Sequence, residues 1–161
     1  IAVLSDLSAE IPASLDFVII ADGIRDPGNL GTLLRTSAAA GAQVVFLTSG
    51  SADPFSPKVL RSGMGAHFRL PILTSPWEDI YANCMEISPG LSFYLAEAES
   101  GIPYWEADLK APLALVIGGE AEGATSLTRS QVTQKLTIPM PGLAGPEILV
   151  RAQQLLRELS A

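Results

Sequence analysis

Four short segments of this chain are apolar at nearly every position instead of every second one: "FVIIAD" (17–22), "QVVFLT" (43–48), "LSFYLAEA" (91–98) and "LALVIGG" (113–119). A strand with one face in water alternates apolar and polar residues, so runs of this kind belong to strands buried on both faces. Between them the period changes. Leu30, Leu33, Leu34, Ser37 and Ala38 recur at helical spacing, and Gly41 supplies a C-terminal stop. A short helix is predicted from about Pro57, and a strand near Leu70 to Leu73. Residues 75–87 predict a helix with Ser75 as N-cap and Pro76 in its first position. "SLTRSQVTQ" predicts a short helix, "KLTIPM" a last strand and "PEILVRAQQLLREL" a closing helix. Strands alternating with helices predict an α/β fold, a mainly parallel sheet with helices on both faces.

Composition bounds the function. At 161 residues the chain has room for one domain, and 48% hydrophobic against 17% charged residues excludes disorder. Residues 1–16 show no sustained period and start at Ile1 without an initiator methionine, so they read as a linker, with the domain at 17–161. No apolar run approaches the roughly 18 residues of a membrane span, so no membrane partner is expected. Cys84 is the only cysteine, which excludes an intrachain disulfide and fits a reducing, cytoplasmic setting. His67 is the only histidine, so multi-histidine metal sites are excluded and metal-free chemistry is expected. A net charge of −7 opposes non-specific attraction to nucleic acid.

Ligands of parallel sheets bind beyond the carboxyl ends of the strands. Three glycine-bearing loops leave such ends: "DGIRDPGNLG", "GGEAEG" and "IPMPGLAGPE". Gly118 and Gly119 let a ligand approach the backbone, while Glu120 and Glu122 make the site acidic; a tight turn with solvated carboxylates reads equally well. Met140 offers a polarizable surface to a flat ring or a thioether, or sits in a plain loop. Arg35 falls beside an apolar helix face, one turn beyond Gly31, which leaves room over the helix; an ordinary ion pair is the alternative. Asn29 either caps that helix or points at a ligand. His67 reads as structural or RNA-facing, Cys84 as a small buried apolar group, and Trp77, Tyr81, Tyr94, Tyr104 and Trp105 as core or interface.

Taken together, these segments resemble the SpoU (TrmH-like) RNA ribose 2′-O-methyltransferases of the SPOUT superfamily. The family's Asn-x-Gly-x-x-x-Arg-x-Ala motif is matched by "NLGTLLRTS", with Asn29, Gly31 and Arg35 in place and Ser37 where Ala is common. Its Gly-x-Glu-x-x-Gly motif is matched by "LALVIGGEAEG", placing Gly118, Glu120 and Gly123, and its third motif starts as Ile138, Pro139 and Met140. "SPKVLRSGMGAHFRLPI" is similar to the family's stretch between the first two motifs. After Gly142 the chain reads "LAGPEILV" where the family usually has Ser-Leu-Asn-Val, and neither register restores the Ser and Asn.

The resemblance implies a C-terminal trefoil knot and a homodimer formed through the knot region. It implies S-adenosylmethionine held by Gly118, Gly119, Ile138, Met140, Gly142 and Leu143. It gives catalytic roles to Asn29, Arg35 and Glu120, and makes Arg25, Arg35, Arg61 and Arg69 the RNA-binding cations, with ribosomal RNA preferred to transfer RNA. It also implies a separate N-terminal RNA-binding domain, which residues 1–16 would have joined. Two other readings stand beside it: a knotted RNA-binding or ribosome-assembly protein without catalysis, and an unrelated α/β small-molecule enzyme.

Overall fold

The computed structural model describes residues 10–98, 100–110, 112–120 and 122–138. In chain order it contains β1 (Phe17–Asp22), α1 (Pro27–Ala39), β2 (Val44–Leu47), α2 (Pro57–Gly63), β3 (Ile72–Thr74), α3 (Trp77–Ile87), β4 (Ser92–Glu97), β5 (Ile102–Pro103), β6 (Leu113–Gly118), α4 (Ser126–Gln131) and β7 (Gln134–Thr137). Single 3-10 turns lie at Ala66–Phe68 and Tyr104–Glu106.

The strands form one seven-stranded sheet in the order β3-β2-β1-β6-β4-β7-β5, with every strand pair parallel. That arrangement explains the uninterrupted apolar runs. Ile19, Ala21, Val45, Leu115 and Ile117 point to one face and Val18, Ile20, Phe46, Ala114 and Val116 to the other, all buried. On the first face Leu30, Leu33 and Leu34 of α1 and Val59 of α2 close the core; on the second, Trp77, Ile80 and Cys84 of α3 do so. Each such leucine or isoleucine, taken wholly out of water, contributes about 1.5–3 kcal/mol before chain entropy is counted.

Several boundaries differ from the sequence expectation. α1 begins at Pro27, inside what reads as a turn, because Asp26 caps it; Asn29 already lies in the helix and does not cap it. Ser75 does not cap α3, since its N–H donates to the Leu47 carbonyl at 3.1 Å, extending the strand edge, and Pro76 takes the cap position. β3 starts at Ile72, two residues late, and the two-residue β5 has no periodic signal at all. Leu15, inside the stretch read as a linker, is fully buried, and its N–H and C=O both bond the Ser88 hydroxyl. The expected closing helix and the threading of the knot fall outside the described residues.

The chain runs outward from β1 through β2 to β3, then crosses to β4 on the far side, and β6 later inserts between β1 and β4. The loops after β1 and β6 therefore leave the sheet side by side. Because β4 alone separates β6 from β7, the carboxyl ends of β6 and β7 flank its own.

Candidate functional site

Register pairs Asp22 with Gly118 at the ends of β1 and β6, so the first two glycine loops start at one level. They then lock together. The Gly119 N–H donates to the Asp22 carbonyl at 2.9 Å, and a Cβ on Gly119 would lie 2.3 Å from the Gly23 carbonyl oxygen. A Cβ on Gly118 would lie 2.3 Å from the Ala124 nitrogen. The adjacent glycines thus admit the chain's own backbone, on whatever further ligand contact they make. Gly123 closes the loop with a 3.0 Å bond to Gly119 and a left-handed φ of +66°.

The Asp22 side chain holds this junction, and no motif singles it out. It is 1% exposed and accepts from the Thr48 hydroxyl at 2.8 Å, the Thr125 N–H at 2.8 Å and the Thr128 hydroxyl at 2.7 Å. One carboxylate ties the ends of β1 and β2 to the start of α4, where the Thr125 hydroxyl accepts from the Thr128 N–H as N-cap. The sequence carried a signal: an acidic residue closing a wholly buried strand needs partners.

The first motif meets the second through side chains. Asn29 Nδ2 donates to Glu120 Oε1 at 2.8 Å, joining the first turn of α1 to the β6 loop. Asp26 beside it accepts the Asn29 N–H at 2.8 Å, and that bond, with Lys58 at 3.3 Å, holds the Asp26 carboxyl below its ordinary value despite slight burial. Arg25 pairs with Glu122 at 3.3 Å, both largely exposed, a contact that adds little stability. An open cleft of about 180 Å³ lies over these strand ends, bordered by Gly23, Ser49, Gly50, Gly119, Glu120 and Thr125.

Arg35 is exposed on α1 and has no hydrogen bond or ion pair among the described residues. The room that Gly31 was expected to leave over the helix is filled by α2: a Cβ there would lie 1.9 Å from Ser62 Oγ and 2.8 Å from the Val59 carbonyl. Gly31 brings two helices together, and Arg35 projects beyond their contact. Arg61 and Arg69 are likewise exposed.

Other candidates resolve into structure. His67 is buried, with Nε2 2.7 Å from the Pro54 carbonyl, to which it donates. Cys84 is fully buried, and burial pushes its thiol up to about 12. Trp77 and Tyr81 pack with Phe93, and Trp77 Nε1 bonds Gln131; Tyr94 is buried as well, while Trp105 is exposed.

At the end of β4, Glu97 receives Arg129 Nε at 2.6 Å, Lys135 Nζ at 3.5 Å and the Ser100 hydroxyl. Burial raises its carboxyl, but these bonds and charges together outweigh burial and hold it below its ordinary value. This cluster braces β4, α4 and β7 at the carboxyl end of β4. The Ile138 side chain is buried in the core, while Met140, Gly142 and Leu143 lie outside the described residues.

Comparisons with known proteins agree with this arrangement. The chain is 34% identical over 148 residues to the 23S rRNA (guanosine(2553)-2′-O)-methyltransferase RlmP of Bacillus subtilis, covering 89% of the chain and 57% of that protein. It is 52% identical over 84 residues to the mitochondrial rRNA methyltransferase 3 of Xenopus tropicalis, covering 52% of the chain and 20% of that protein. The chain thus spans little more than half of the first relative and a fifth of the second. Among solved structures, the SpoU methyltransferase AviRb of Streptomyces viridochromogenes in complex with AdoMet superposes with a TM-score of 0.85 at 27% identity, over 96% of the chain and 60% of that one. Among the described residues no helix is long and apolar enough to cross a membrane. The model of the SpoU rRNA methylase family matches residues 16–145, which take in the paired loops, Asn29, Arg35 and Glu120, and the chain belongs to that family.

Proposed function

We propose that this chain is the catalytic domain of an S-adenosylmethionine-dependent ribose 2′-O-methyltransferase acting on RNA, ribosomal before transfer RNA. The observation that carries it is the Asn29–Glu120 bond, which fixes the first motif on the second and leaves Arg35 of the same helix unpaired among the described residues. The names of the relatives supply the substrate class.

The β6 loop fits the cofactor's charge. It is acidic through Glu120 and Glu122, which suits a cationic ligand and disfavours phosphate. Backbone of Gly118, Gly119, Ile138, Met140, Gly142 and Leu143 would hold the cofactor, which supplies an electrophilic methyl group when bound. Arg35 orients the ribose hydroxyl or its phosphate and stabilises charge as the hydroxyl loses its proton. A guanidinium is a poor base because its pKa exceeds 12, so orientation and charge come before proton abstraction. Asn29 and Glu120 set the distance between that arginine and the cofactor loop. Arg25, Arg61 and Arg69 complete the RNA-binding set, although Arg25 is shared with Glu122.

The proposal includes a C-terminal trefoil knot, a homodimer through it, a cytoplasmic setting and an RNA-binding domain ahead of residue 17. The departure after Gly142 supports a second reading, a knotted RNA-binding protein without catalysis. Calorimetric titration with S-adenosylmethionine, beside a methyl-transfer assay on RNA, separates them. Binding with transfer supports the enzyme, binding without transfer supports the second reading, and no binding rejects the cofactor site.

A further inference from the structure

The chain is acidic, yet its acids are not spread evenly. No aspartate or glutamate occurs between Asp26 and Asp53, nor between Asp53 and Glu78, and these stretches carry Arg35, Lys58, Arg61 and Arg69. They build α1, α2 and the 3-10 turn Ala66–Phe68, packed together on one face of the sheet. The ion pairs sharpen the contrast. Arg25, Lys110, Arg129 and Lys135 each pair with a carboxylate, and Lys58 pairs with Asp26. Among the described residues the cations left without an anionic partner are Arg35, Arg61 and Arg69, all on this face.

The same face carries four of the six large apolar side chains exposed among the described residues. Phe55 is 48% exposed, Leu60 43%, Met64 68% and Phe68 70%, and elsewhere among the described residues only Trp105 and Leu127 are large, apolar and exposed. Phe55 packs against His67, ring centroids 5.8 Å apart, which brings it beside the turn that carries Phe68. Met64 caps α2 with a left-handed φ of 48°, a place usually taken by glycine or asparagine, and there its thioether chain stands in solvent.

Solvent-facing rings and a thioether set among unpaired guanidiniums answer one chemistry: planar unpaired bases on a phosphate chain. The arginines neutralise phosphate, and the rings stack on base faces whatever the sequence. A regular duplex hides its base faces and offers the rings nothing. A protein partner would satisfy the apolar side chains but would leave the three guanidiniums needing carboxylates. We infer that Phe55, Met64 and Phe68, with Arg61 and Arg69, form a stacking wall that holds unpaired nucleotides of the RNA beside the methylation site. This rests on the reading of RNA as substrate and adds that the bound strand is single.

The test uses the whole chain and fluorescein-labelled RNA of mixed sequence, as a single strand and as a blunt duplex, with anisotropy measured across a salt series. S-adenosylmethionine binding is measured separately by calorimetry. Phe68→Ala is expected to weaken single-strand binding about fivefold or more, with Phe68→Trp restoring it, the thermal melt unchanged and the duplex bound more weakly than the strand. Arg61→Ala with Arg69→Ala should lower the slope of log affinity against log salt by about 1.4. Equal binding of strand and duplex, or no effect of Phe68→Ala and Met64→Ala, overturns the wall. A chain dimer that Phe68→Ala dissociates without touching RNA affinity also overturns it, in favour of an interface between copies. Failure to bind S-adenosylmethionine while the RNA pattern holds leaves the wall standing and removes the methyltransferase.

Discussion

Asp22 shows how much one side chain can fix. Its carboxylate accepts from two hydroxyls and one backbone N–H, while the Thr48 hydroxyl also receives the Gly23 N–H and the Thr128 hydroxyl also meets the Thr125 hydroxyl. Asp22→Ala removes all three bonds at a buried junction, and we expect a loss of about 2–4 kcal/mol, read as a lowered urea midpoint with an unchanged slope. That Asp22 needs partners could be read from sequence, but the partners could not be assigned, because Thr125 and Thr128 lie more than a hundred positions away along the chain. Arg35 was legible as an anomaly, an arginine in an apolar helix, but its lack of an ionic partner among the described residues was not. Cys84 was legible as buried, and its chemistry follows: with the thiol pushed up to about 12 and no exposure, iodoacetamide should label it only as fast as the chain unfolds. Labelling at the rate of a free thiol under native conditions would contradict its burial.

At the scale of elements, the strands were written most plainly. β1 matches its expected span of 17–22, since a strand buried on both faces leaves an unbroken apolar run. The helix starts were harder: Asp-Pro-Gly reads as a turn until tertiary packing lets Asp26 cap a helix that opens at Pro27. That cap makes a pH signature. The folded carboxyls of Asp26 and Glu97 both lie below their ordinary values of 3.8 and 4.5, so the stability they contribute is fully present above those values. It is lost as pH falls through the lowered folded values. Thermal melts should therefore stay flat down to about the ordinary carboxylate range and drop below it, and Asp26→Asn with Glu97→Gln should flatten the acid limb. The contact of α1 with α2 through Gly31 was invisible in sequence, as it depends on which helix lands there. Gly31→Ala places a Cβ 1.9 Å from Ser62 Oγ and should cost about 1–3 kcal/mol by overpacking, only partly relieved by Ser62→Ala because the Val59 carbonyl remains at 2.8 Å. Unfolding curves of the single and double variants measure both values.

For the whole molecule, the order β3-β2-β1-β6-β4-β7-β5 brings the carboxyl ends of β1 and β6, far apart in sequence, side by side, with that of β7 on the far side of β4. The sequence pattern was enough for a parallel α/β sheet with helices on both faces. It was not enough for the strand order, because order is set by long-range pairing that local periodicity does not encode. The order explains why Asn29 and Glu120, ninety-one positions apart, share a hydrogen bond, and why the strand that carries Glu97 lies between β6 and β7. It also sets the acidic β6 loop beside a basic face, so the net charge of −7 describes neither. We propose that this chain places a methyl group on a ribose oxygen of RNA with Arg35 at the point of transfer. The most direct measurement incubates wild-type chain and Arg35→Ala with isotopically labelled S-adenosylmethionine and ribosomal RNA, digests the RNA to nucleosides and identifies the labelled product by mass spectrometry. We expect labelled 2′-O-methylnucleoside from wild type, and a loss of a hundredfold or so with Arg35→Ala at unchanged melting temperature and cofactor affinity. Label on a base, or none in RNA although the cofactor binds, would contradict the claim.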